Sequence, residues 1–290
     1  MHHLAQRYLD LDLTQRWRNG HDKYVPSDSR VETRWFAVER ICPTDAKRFV
    51  VQHHYSRSFV YDIASYGLIA TDLRACGYAG LVGVAVFATA SNSRSVTKYT
   101  GYQYAEGAEL GRFVLLDEPQ ANAESWFLAR AMKMFKQEHP ERKVVLSYSD
   151  PHTRRTLDGR IICPGHVGTI YQASNALYVG RGAKKKLYLD PHGRSFASRN
   201  FSKIRNQEAG HERCLSNLER ATQTVRSSGE SYAGFVERAR RKLRPLSHPG
   251  NHLYLFPLAA DRREKRQITK RIRTLHPKNT YPKKHGYYTK

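Results

Sequence analysis

Residues 34–43, RWFAVERICP, alternate apolar and polar side chains and predict a strand that ends at Pro43. The period then changes. In TDAKRFVVQHHYS, residues Ala46, Phe49, Val50, His53 and His54 share one side at helical spacing, with Thr44 as the expected cap. GLVGVAVFATA (80–90) is a Val-rich run of the kind a strand covered on both faces requires. AELGRFVLLD (108–117) and KVVLSYSD (143–150) predict two further strands, separated by an amphipathic helix over 123–140. VGTIYQASNALYVG predicts a short helix breaking near Gly180, and KKKLYLDPHGRS (184–195) another strand and turn. After Ser195, GHERCLSNLERATQTVRSSG and ESYAGFVERARRKL predict basic helices. HLYLFPL then returns to a strand near 252–258, before a short cationic helix and a Pro/Gly/Lys tail expected to be disordered alone. This order predicts an α/β class, a mixed α+β arrangement around a largely open sheet.

Charge adds a second division. The 290 residues carry 49 Lys and Arg against 26 Asp and Glu, a net charge of +23. Residues 181–290 hold 27 of the cations and 8 of the acids, a net of +19, which leaves +4 for residues 1–180. Such asymmetry predicts a polyanion, most simply double-stranded DNA gripped through its phosphates. A merely solvated basic tail is the blander alternative. Arg199, Lys203, Arg205, Arg240, Arg241 and Lys242 are the candidate phosphate contacts. No apolar run reaches the ~20 residues of a membrane span, so no membrane partner is expected. The opening MHHLAQRYLDLDLTQRW is too charged for a secretory leader, and Cys42, Cys76, Cys163 and Cys214 lie far apart without a CxxC pair. Reduced thiols in a cytoplasm are the expectation.

Four stretches carry candidate chemistry. HHYSRS places His54 and Tyr55 at the end of the first helix, offering a proton carrier, a phenol and an arginine within a turn, or simply a polar helix end. In ELGRFVLLD, Glu109 and Arg112 are an odd number of residues apart, so a regular strand would turn them to opposite faces. Arg112 can bind an anion or make a structural ion pair. SYSDPH sets Ser149 and Asp150 at a strand end, where clefts open in α/β sheets. As a base, Asp150 needs a pKa raised toward neutrality, whereas an Asx-Pro turn needs no function. Finally, Tyr171, Asn175 and Tyr178 fall on one face if GHVGTIYQASNALYVG is helical, with His166 at its start.

These motifs resemble the Mom-like phage adenine-modification proteins. GHVGTIYQASNALYVG preceded by SYSDP is the strongest match, with HHYSRS, GLVGVAVF and ELGRFVLLD in the expected order ahead of it. The likeness covers about residues 34–205. It implies an acetyltransferase-like fold in which two central strands, AELGRFVLL and KVVLSYS, splay apart. It also implies transfer of a carbamoylmethyl group to the N6 amine of adenine in DNA, protecting that DNA from restriction in the cytoplasm of a bacterial host. The carry-over makes His54, Tyr55, Ser149, Asp150 and Tyr178 catalytic candidates, with Arg112, Tyr171, Asn175 and His166 for substrate or donor. The donor would be an acyl-CoA-like or aminoacyl group. Where acetyltransferases carry a glycine loop for the coenzyme A pyrophosphate, this chain has DEPQANAES, with three acids and no glycine. A metal held by His54, Tyr55, Asp150 and His152 is a further expectation without firm spacing. The domains expected are an arm (1–33), a catalytic domain (34–205) and a basic, mostly helical DNA-binding extension (206–290). Two rivals stay open: a non-catalytic DNA-binding protein on the same scaffold, and an N-acetyltransferase acting on protein or a small molecule.

Overall fold

The computed structural model describes residues 13–18, 21–26, 31–277 and 279–283. Within the expected arm, β1 (Leu13–Arg18) and β2 (His21–Pro26) pair antiparallel. The rest of the chain alternates between two compact units. The first takes Met1–Ser149, His166–Gly180 and His252–Lys290; the second takes Asp150–Gly165 and Arg181–Asn251. The boundary expected at residue 205 therefore falls inside the second unit.

The first unit holds a mixed sheet. Its strands are β3 (Phe36–Arg40), β4 (Asp62–Ala70), β5 (Gly80–Ala88), β6 (Gly107–Leu115), β7 (Val144–Ser149), β10 (Leu177–Arg181) and β14 (His252–Pro257). Their order across the sheet is β10-β14-β7-β6-β5-β4-β3. Helix α1 (Pro43–His53) starts with Pro43 at its first position and Cys42 as the cap, two residues earlier than the expected Thr44. Helices α2 (Ser93–Thr100) and α3 (Ala123–Glu138) follow β5 and β6. Strand β4 and helix α2 lie outside the sequence expectations; Ser, Gly and Asp interrupt the apolar pattern of the one, and only Val96 marks the other as apolar and buried.

Register assigns the faces. Partners across a ladder share a face, so Leu110 and Phe87, then Phe113 and Ala85, point to the side where Phe87 stacks on Phe135 and Phe113 on Phe127 of α3. On the opposite side, Val144, Leu146, Leu253 and Leu255 pack with Val96 of α2 and with Ile268 and Ile272 of α8 (Arg262–Leu275). β14 runs antiparallel to β7 from His252↔Ser149 to Pro257↔Val144, and its Leu253, Tyr254 and Leu255 are buried. The returning strand expected near 252–258 is thus an internal member of the sheet, and α8 covers it. Strand β14 and helix α8 both pack within the first unit.

The decisive feature is where β6 and β7 part. They pair in parallel through Gly107↔Val144, Ala108↔Val145 and Glu109↔Leu146 only. Beyond that, β6 pairs with β5 alone and Ser147–Ser149 of β7 with β14 alone. The splay expected of an acetyltransferase-like sheet is present between the two strands named for it.

The second unit carries β8 (Arg154–Arg155), β9 (Ile161–Cys163), β11 (Lys185–Leu189), β12 (Ser195–Ala197) and β13 (Arg244–His248), the last three in the order β12-β11-β13. Helices α5 (Ser198–Arg205), α6 (His211–Thr222) and α7 (Tyr232–Arg240) close a core of Phe196, Phe201, Ile204, Leu218, Phe235 and Leu243. Among the described residues no helix is long and apolar enough to cross a membrane.

Leu255 is fully buried between β7 and α8. Leu255→Ala should lower the unfolding free energy by about 2–5 kcal/mol in equilibrium denaturation. A loss below about 1 kcal/mol would place β14 outside the cooperative fold.

Candidate active site

The gap is framed by residues from both of its edges. A bulge at Gly111 shifts the β5–β6 register, so Leu110 pairs with Phe87 while Arg112 pairs with Val86. The extra residue undoes the alternation: Glu109 and Arg112 face the same side, not opposite ones as a regular strand would have it. Gly111 is needed there because a Cβ would meet Val60 at 2.8 Å. Arg112 donates from Nε to the Ser58 carbonyl (2.7 Å), from Nη2 to Ser58 Oγ (2.8 Å) and from Nη1 to the Gly111 carbonyl (2.5 Å). It thereby ties the segment after α1 to the rim of the gap.

His54 closes α1 and is buried, stacked on Tyr55 with ring centroids 4.2 Å apart. Its Nδ1 accepts from the Ser56 backbone N–H at 3.1 Å, which leaves the ring proton on Nε2. Burial, then the charges of Arg112 and His166, push its pKa down to about 3. The ring is therefore neutral near pH 7, a hydrogen-bond donor and not the proton carrier that the sequence suggested. Tyr55 meets His166 edge-on at 6.2 Å.

The 166–180 stretch folds differently from the single helix expected of it. Helix α4 covers only Thr169–Ala173, Asn175 turns to a left-handed φ of 58°, the Ala176 N–H bonds the Tyr171 carbonyl, and Tyr178 lies on β10. Strand pairing with β14 takes Tyr178 away from any helical stripe. Tyr171 and Tyr178 nevertheless meet over the same partner: their rings lie 5.4 and 5.2 Å from that of Tyr254. Tyr171 is buried, which raises its pKa, and the charges of Glu109 and Arg112 act on it across the gap. Tyr178 Oη lies 2.8 Å from Nδ1 of His252, both side chains buried. Gly168 makes room for this cluster, since a Cβ would stand 2.7 Å from Tyr254, 2.8 Å from Tyr171 and 3.1 Å from Ser149 Oγ. Ser149 Oγ is buried without a hydrogen bond among the described residues. His252 and Tyr254 escaped the sequence reading, although the alternation in HLYLFP puts them on one face.

Asp150 belongs to the second unit, where its surroundings are those of the Asx-Pro turn. Oδ1 accepts from the His152 N–H (2.9 Å) and from Nε2 of buried His248 (2.8 Å), and Arg154 stands 3.4 Å from Oδ2. Burial alone would raise its pKa, but the His152 N–H, Arg154 and His248 outweigh it and hold the carboxyl below its ordinary value. The raised pKa required of a general base is therefore absent. Nor does a metal quartet form: among the described residues no group of three or more His, Cys, Asp or Glu side chains is placed to hold an ion.

A cavity of about 950 Å³ in the first unit is lined by Asn122, Trp126, Lys133, Ser174, Asn175 and Phe256, among others. Phe256 meets Tyr171 edge-on at 6.0 Å, so this space backs onto the tyrosine cluster. At the start of α3, Asn122 has a left-handed φ of 69° and Glu124 stands in the first turn, with Asp117 and Glu118 just upstream. Carboxylates at a helix N-terminus do not fit a coenzyme A pyrophosphate held there by backbone amides.

Of the phosphate-contact candidates, Arg199 pairs with Glu208, and Arg205 and Arg240 both pair with Glu237. Their charges are engaged within the second unit. Arg241 and Lys242 are exposed, and Lys203 is half-buried.

A family model, that of the Mom protein family, matches residues 35–283, spanning both units and the whole of the gap. The chain belongs to the Mom family. No curated protein matches it. Among solved structures, a tandem GNAT protein from the clavulanic acid biosynthesis pathway is similar at 7% identity and a TM-score of 0.40, over 78% of this chain and 99% of that one. The outer bounds of the family match enclose residues 206–247.

His54 gives this Mom-family chain a pH signature. A pKa lowered from 6.5 to about 3 contributes stability that is complete above pH 6.5 and is lost progressively as pH falls toward 3. Wild type should lose on the order of 2 kcal/mol more than His54→Gln between pH 7 and pH 5 in urea denaturation. Parallel losses would show that the ring titrates as freely folded as unfolded.

Proposed function

We propose that this Mom-family protein transfers a carbamoylmethyl group to the N6 amine of adenine in double-stranded DNA. The observation that carries the reading is the family match over 35–283, which includes both strands of the splayed pair and the Tyr178–His252 pair beside them. The +19 charge of residues 181–290 is what a DNA substrate calls for. Protection of that DNA from restriction, in a bacteriophage setting, would be the biological consequence.

Adenine N6 is a weak nucleophile, its lone pair delocalised into the ring, and in a duplex it is paired and stacked. The base must be extruded at a cost of a few kcal/mol, offset by stacking and hydrogen bonds in the site. Tyr55, backed by His54, is the stacking platform in this reading, and the neutral His54 Nε2–H donates to a ring nitrogen of the purine. During transfer the N6–carbon bond forms, the bond to the departing group breaks, N6 loses a proton and the departing group gains one. The net need is a relay, not a permanent acid. The Tyr178 hydroxyl, hydrogen-bonded to His252, is such a relay, and the rings of Tyr171 and Tyr254 pack around it. Arg112 positions the rim. Asp150, held by His248, shapes the turn after β7 and takes no proton. The donor, an acyl-CoA-like or aminoacyl group as co-substrate, would occupy the 950 Å³ cavity beside Asn175. No step is assigned to a pyrophosphate at α3.

Tyr178→Phe and His252→Ala should each cut modified adenine by about 100-fold or more, while duplex affinity stays within about twofold. Mass spectrometry of nucleosides from DNA of expressing cells reads the first, and fluorescence anisotropy the second. Undiminished modified adenine in either variant removes the relay from the mechanism.

A further inference from the structure

Helix α8 presents its cations differently from helices α5 and α7 of the second unit. At about 100° per residue, Ile268 and Ile272 define its buried side, and Arg262, Arg263, Arg266, Lys270 and Arg273 fall in a stripe about 100° wide opposite them. Four of the five are exposed, and none makes an ion pair among the described residues. The two acids of the segment are used elsewhere. Asp261 caps the helix by accepting the Glu264 N–H at 2.8 Å, and Glu264 turns to Lys143 (2.7 Å) and Lys136 (3.4 Å). In the second unit, by contrast, Arg199, Arg205, Arg238 and Arg240 are each matched to a glutamate.

The stripe is unfavourable to the helix that bears it. Arg262 and Arg263 occupy the first turn, where the macrodipole disfavours cations, and Arg262, Arg266 and Lys270 stack like charges at i, i+4. An anion laid along the helix reverses both penalties. From Arg262 to Arg273 the stripe runs about 17 Å, close to five base pairs of duplex at 3.4 Å each. It also lies on the informative side of the sheet. The pairing Glu109↔Leu146 puts the Leu146 side, which α8 covers, on the same face as Glu109 and Arg112 at the rim of the gap.

We propose that the exposed stripe Arg262/Arg263/Arg266/Lys270/Arg273 of α8 is the surface that grips the phosphate backbone of duplex DNA. This rests on the DNA reading above and names the binding surface for it. The contact is sequence-independent and salt-sensitive.

The test uses the full-length protein and a fluorescent mixed-sequence duplex of about 30 base pairs, titrated at several salt concentrations. Arg266→Glu/Lys270→Glu should weaken binding at least tenfold at 0.1 M salt and flatten the slope of log K against log salt by about 2. Arg266→Gln/Lys270→Gln should flatten it similarly with a smaller affinity loss, and both should melt like wild type. Arg213→Glu/Arg220→Glu on α6 removes the same net charge and should leave the slope unchanged. A wild-type slope in the α8 variants, or an equal loss in the α6 variant, overturns the assignment. So does loss of binding to anionic phosphatidylserine vesicles with duplex binding intact, which would make the stripe a membrane contact. Nucleoside mass spectrometry separates the two proposals: a wild type that binds duplex through α8 yet leaves adenine unmodified keeps the surface and discards the reaction.

Discussion

The site depends on a ladder that stops. β6 and β7 hydrogen-bond over three residue pairs and then separate, each kept in the sheet by its other neighbour. Were they to continue, the backbone groups now lining the gap would satisfy one another. The bulge at Gly111 completes the arrangement by turning Arg112 to the side of Glu109 and bringing Val60 within reach of a backbone that has no Cβ to spare. Interrupted pairing and a shifted register together convert a continuous sheet into a slot with chemistry on both rims.

Elements with one strong period were legible in the sequence. The Val-rich β5, the paired strands β6 and β7 and the long amphipathic α3 all lie where their patterns place them, within a few residues. The elements that were not legible fail for physical reasons. Asn175 in a left-handed conformation ends α4 after five residues, and the pull of β14 makes the following residues a strand, which propensity within the stretch does not encode. β4 escaped because Asp62, Ser65 and Gly67 interrupt its apolar run, while β3 and β5 on either side supply the pairing that makes it a strand. His252 lay in a strand that was foreseen, yet its role depends on Tyr178 from a segment 74 residues earlier, and no local pattern joins them.

The two units are not contiguous along the chain. A boundary drawn along the chain assumes that each unit is contiguous, but the second unit takes two stretches that bracket α4 and β10, and β14 then returns to the first. The net charge of the back third, treated as one feature, is in truth two. In one part, residues 181–251, with 16 Lys and Arg against 6 Asp and Glu, four arginines of α5 and α7 pair with glutamates; the other, on α8, belongs structurally to the sheet.

Burial decides what the titratable groups can do. His54 is desolvated beside Arg112 and His166, so it stays neutral and its one ring proton is fixed on Nε2. Asp150 is surrounded by donors and stays ionised, with both oxygens engaged. Neither group is poised near neutrality, which leaves proton movement to hydroxyl and imidazole groups that share hydrogen bonds. A buried tyrosine has its pKa raised and cannot act as a standing phenolate, but it can give up its proton at the moment a neighbour returns one. That condition is met where Tyr178 and His252 share a 2.8 Å bond, with the Tyr171 and Tyr254 rings excluding water around them. In the proposed relay, that apolar packing would let the pair pass a proton directly between hydroxyl and imidazole.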